Sequence, residues 1–90
     1  MKKVSTREDA LDVIKRADRF GNENDMWSVI VFHKDALCNT IYYEVSYFDN
    51  NIRRDDFIEA VKLNLQRVKV DFAIYVGSTH MFSYGTLFEE

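Results

Sequence analysis

The chain predicts an α+β domain built from two tandem α-β-β units, with a four-stranded antiparallel sheet and two helices packed on one face. Three observations carry that expectation. The segment RDDFIEAVK at residues 54–62 echoes REDALDVIK at residues 7–15, with Arg, Asp and Lys repeated in place and the apolar positions kept apolar. Each copy is followed by an apolar strand pattern, a polar break and an aromatic-rich strand pattern. The composition, 47% hydrophobic and 14% aromatic over 90 residues, suits one folded core and excludes a disordered chain. The expected organisation is therefore one domain over residues 1–90, with units of about 5–48 and 53–88.

Taken in order, Ser5 and Glu8 have the spacing of a capping box, in which the Ser oxygen accepts from the Glu amide. Ala10, Val13, Ile14, Ala17 and Phe20 then mark one helical face, and Gly21 supplies a left-handed stop. Residues 26–34 change to period two and are apolar on both sides, as an interior strand should be. Residues 40–48 alternate more cleanly, with Ile41, Tyr43, Val45 and Tyr47 inward. Asn51 is a plausible cap for the second helix, which spans about 53–68 on a stripe of Phe57, Val61, Leu65 and Val68. Val70, Phe72, Ile74 and Val76 alternate as a buried strand face, and residues 81–88 form the last strand. Two orders are compatible with right-handed crossover. The two-sided apolarity of the first and third of these strands favours placing them in the middle of the sheet over the order with the second and fourth central.

Charge and cysteine content narrow the function classes. The net charge is −3; all twelve basic side chains lie at or before Lys69, beside twelve of the fifteen acids. After Lys69 come only Asp71, Glu89 and Glu90, so no basic stripe favours nucleic acid. One cysteine, Cys38, precludes an internal disulfide and suits a reducing compartment. No apolar stretch reaches the length of a membrane span, and a polar helix follows Met1-Lys2-Lys3 where a signal peptide would be apolar. A cytoplasmic protein is expected.

With both helices on one face, the other face of the sheet would be bare, occupied by Ile30, Phe32, Tyr42 and Tyr75. An aromatic patch of that kind marks a partner or dimer surface. The same aromatics suggest a second reading, a stacking platform for single-stranded RNA, which the scarcity of nearby cations disfavours. His33, Asp35, Cys38 and His80 are the residues capable of nucleophilic or ligand chemistry, but they lack any metal or catalytic spacing. A small enzyme using Cys38 and His33 is the third reading. Glu8-Asp9 and Asp55-Asp56 are read as acids complementing the helix dipoles. The leading expectation is a non-enzymatic protein-binding module, accessory or inhibitor in type as in phage and plasmid proteins. It would be a homodimer without metal or cofactor, covering a larger partner through the aromatic face or an edge strand.

Overall fold

A computed structural model of the chain describes residues 2–35 and 37–88; Met1, Ala36, Glu89 and Glu90 lie outside them. The elements are β1 (Lys2–Val4), α1 (Arg7–Glu23), β2 (Trp27–Lys34), β3 (Ile41–Phe48), α2 (Asn51–Val68), β4 (Phe72–Val76) and β5 (Thr79–Tyr84). They form an α+β fold around a five-stranded sheet of order β1-β3-β2-β4-β5, every neighbouring pair antiparallel. The expected four-strand, two-unit arrangement is replaced by this one. β2 and β4 are interior, as their two-sided apolarity requires.

The helices lie on opposite faces, correcting the expectation of a shared one. α1 places Ala10, Val13, Ile14 and Ala17 against Ile30, Phe32 and Ile41. α2 places Phe57, Ile58, Val61 and Leu65 against Val29, Val31, Phe72 and Ile74. The reason lies in the three-residue strand β1, which sequence periodicity does not reveal. β1 and β2 are parallel with β3 between them, so α1 is a crossover connection. β3 and β4 are likewise parallel with β2 between them, so α2 is a second crossover. Both step the same way across the sheet, but they start from strands of opposite direction. Two crossovers of one hand must then use opposite faces, and crossover hand is nearly invariant.

This geometry also removes the three-dimensional basis of the repeat. Phe72, Ile74 and Val76 face the helix that precedes them, whereas their counterparts Trp27, Val29 and Val31 face away from theirs. The helical stripes differ too: Val13 is buried, but its counterpart Ala60 is exposed. The echo records two amphipathic helices of similar composition, not two superposable units.

Local chemistry sets the boundaries. Thr6 caps α1, its hydroxyl accepting from the Asp9 amide at 3.1 Å, one residue later than the expected Ser5 cap. Gly21 stays within α1 rather than ending it. A Cβ there would stand 2.7 Å from the Met26 carbonyl oxygen, so glycine lets the chain double back closely into β2. Asn50, not Asn51, caps α2 by accepting from the amides of Ile52 and Arg53 at 2.9 and 3.0 Å. Asp55 and Asp56 therefore fall beyond the first turn, which holds no acid, and the dipole account applies only to Glu8 and Asp9. Lys69 closes α2 in the left-handed conformation at φ 59°. The last hairpin begins earlier than expected, with β5 starting at Thr79. Among the described residues, no helix is long and apolar enough to cross a membrane.

Candidate functional site

Ile30, Phe32, Tyr42 and Tyr75 do not form one surface, because the face expected to be bare lies under α1. Ile30 and Phe32 are 0% and 1% exposed. Tyr75 is half-buried beside them, its ring edge-on to Phe32 at 5.9 Å. Tyr42 belongs to the α2 face, half-buried against His33, with the Lys3 ammonium 5.7 Å from its ring centre. A base-stacking platform needs rings open to solvent. Phe32 is covered on the α1 face and Phe72 on the α2 face, while Tyr42 and Tyr75 are half-buried.

The residues capable of chemistry are also dispersed. Asp35 organises the β2–β3 turn: its Oδ1 accepts from the Leu37 amide at 2.7 Å and the Cys38 amide at 3.3 Å. The Leu37 amide first, then the Cys38 thiol and amide, hold its carboxyl below the usual aspartate range. The Cys38 thiol is exposed on this turn. His80 projects from β5 on the other face, edge-on to Tyr75 at 5.3 Å. Among the described residues, no group of three His, Cys, Asp or Glu side chains is placed to hold a metal ion.

A cleft of about 320 Å³ lies between the first turns of α1, the β4–β5 hairpin and residues 85–88. Phe32 and Ala73 lie on its apolar side, and Tyr75, His80 and Ser83 contribute polar groups. Among the described residues, no hydrogen bond joins those three. Leu87 and Phe88 pack onto the core beside it, making this cleft the seam where residues 85–88 close over the sheet.

The sheet edges offer more. Among the described residues, β1 pairs with β3 from Ile41 to Tyr43. Among the described residues, nothing pairs with the outer edge of residues 44–48. Between that edge and α1 runs a groove of about 190 Å³, lined by Val13, Ala17, Phe20, Val45 and Tyr47 with Lys2 and Arg16 among its walls. Phe20 is half-exposed at 48%, its ring 4.8 Å from that of Tyr47. Across the same end of the sheet, Trp27 is 42% exposed with the Arg54 guanidinium 4.7 Å over its ring. The strand edge, the groove and the exposed Phe20 thus meet on the α1 face, while Trp27 lies on the α2 face at the same end.

Sequence reasoning missed this arrangement, since Phe20 and Tyr47 read as ordinary core positions. No sequence signal marks it, because β1 (Lys2–Val4) is too short to show a period. Comparison with protein-family models, curated proteins and solved structures finds no match to this chain.

Proposed function

We propose that this protein is a small non-enzymatic protein-binding module, accessory or inhibitor in type, that takes an extended segment of a larger partner as an added strand along residues 44–48. The observation that carries this reading is the half-open β3 edge with its groove against α1. Strand addition gains affinity from main-chain hydrogen bonds and specificity from pockets for alternate side chains. The groove receives the side chains on the α1 side of such a strand. β1 already pairs antiparallel with the first part of the same edge, which favours that direction for the guest. Lys2 and Arg16 favour an acidic group or a terminal carboxylate in the guest segment. Arg16 also pairs with Asp12 at 3.1 Å, but both are well exposed, and such pairs exchange readily. Cytoplasmic residence fits the free thiol of Cys38, which stays reduced there.

The test is panning of a random peptide library against the immobilised protein. Enriched sequences should alternate apolar and polar residues and carry an acid. Phe20→Ala should weaken their binding about tenfold, a loss of about 1.4 kcal/mol and typical of a buried aromatic anchor. Absence of enrichment, or enriched peptides indifferent to both Phe20→Ala and Tyr47→Ala, would refute this reading.

A further inference from the structure

We infer that the cleft between α1, the β4–β5 hairpin and residues 85–88 binds a small aromatic carboxylate, its ring on the apolar floor and its carboxylate at Arg7. The depth comes from small side chains on both walls. Ala10 on α1 and Ala73 on β4, each 5% exposed, contribute single methyl groups where larger side chains would fill the space. Ser83 and Gly85 continue that small lining. The resulting volume of about 320 Å³ is at the lower end of ligand sites, which run from about 300 to 1,000 Å³. An occupant of about one or two rings follows from that size.

The walls select among such molecules. Phe32 and Tyr75 meet edge to face at 5.9 Å, and the rings of Tyr75 and His80 meet in the same manner at 5.3 Å. A planar guest ring extends this series through the offset or edge-on contacts that aromatic pairs favour. Tyr75, His80, Ser83 and Thr86 also bring polar groups to the cleft. Among the described residues, none of these four side chains makes a hydrogen bond, so each has one to offer a guest. Charge sets the sign of that guest. The protein carries a net charge of −3, yet no Asp or Glu among the described residues lines the cleft, and Arg7 does. Glu8, Asp9 and Asp12 of the same helix stay off the walls, as does Asp71, which lies against Gly85. Arg7 stands in the first turn of α1, where the helix dipole adds positive potential. A guanidinium carries several N–H donors in a fork that matches a carboxylate, so Arg7 can serve the guest beside its other contact. Entry has a route as well. Gly85, at φ 72°, turns the chain back so that Leu87 and Phe88 pack on the core and form one side of the cleft. Among the described residues, no backbone hydrogen bond ties residues 85–88 to the sheet, so that side yields without breaking a ladder.

The test is a 15N–1H NMR titration of the unmodified protein with indole-3-acetate, indole-3-acetamide and acetate. The acid should give saturable shifts at Ala73, Tyr75 and Ser83 by about 10 mM, the range a ligand of this size reaches at ordinary efficiency. The amide, similar in shape but uncharged, should bind about tenfold more weakly, because it loses the charge-assisted hydrogen bonds. Acetate alone should move none of the three. Arg7→Gln should bring the acid's affinity down to the amide's and leave the amide's own unchanged, a split that general loss of structure does not produce. Ala73→Leu, which fills the cleft, should abolish the shifts; Ser83→Leu, at an exposed position, serves if Ala73→Leu fails to fold. No saturation over that range, equal binding of acid and amide, or binding that survives filling of the cleft overturns the inference. Phe20→Ala, which tests the β3 groove, should leave indole-3-acetate binding unchanged, so the two readings stand or fall separately.

Discussion

Gly21 shows how one residue can invert an ordinary rule. In a helix interior, Gly→Ala normally stabilises by about 1 kcal/mol. Here the new methyl group would stand 2.7 Å from the Met26 carbonyl oxygen, a backbone atom that moves only if the helix-to-strand connection moves. Chemical denaturation should show Gly21→Ala destabilised by roughly 1–3 kcal/mol, the range for overpacking. Ser28 points the other way. It is 1% exposed and its hydroxyl has no hydrogen-bond partner among the described residues. Ser28→Ala should therefore raise stability by roughly 1 kcal/mol in the same assay, since the variant no longer desolvates an unpaired oxygen. Asp35 contributes a pH dependence of determined sign. Its folded carboxyl is held below the ordinary value of about 3.9. The turn it stabilises is therefore fully held above that ordinary value and loosens as pH falls through the lower, folded one. An NMR titration should place the Asp35 midpoint below that of an unstructured aspartate, with the Leu37 amide shift moving in step.

The two helices are held unequally. Ala10, Val13, Ile14, Ala17 and Gly21 of α1 are buried, whereas no residue of α2 is. Ile14→Ala should cost about 2–5 kcal/mol in denaturation, as for a full core truncation. Val61→Ala, at a half-buried position, should cost roughly 1 kcal/mol. Hydrogen exchange should correspondingly release α2 amides before those of α1, as expected where few apolar contacts hold an element. At this scale much was legible in the sequence. The stripe through Ala10, Val13, Ile14 and Ala17, the alternation of Trp27–Lys34 and Phe72–Val76, and the interior placement of β2 and β4 all follow from apolar periodicity. Caps and ends were displaced by a residue or more, because Ser5 and Thr6, or Asn50 and Asn51, are chemically interchangeable until the backbone chooses between them.

For the whole molecule, a three-residue strand too short to leave a periodic signature decides the architecture. Once Lys2–Val4 pairs beside Ile41 to Tyr43, α1 becomes a crossover, α2 becomes another, and crossovers of one hand cover both faces of the sheet. Ile30, Phe32 and Tyr75 were legible as one apolar face, but whether a helix covered that face was not. The proposed activity moves accordingly from the face of the sheet to its edges, where among the described residues nothing pairs with the outer side of residues 44–48. The most direct measurement is a 15N–1H NMR titration of the protein with a peptide enriched by panning. Shift changes concentrated at residues 44–48, Phe20 and Arg16 are the predicted result; changes gathered on β5, on α2 or in the cleft by Tyr75, with residues 44–48 unmoved, would contradict it.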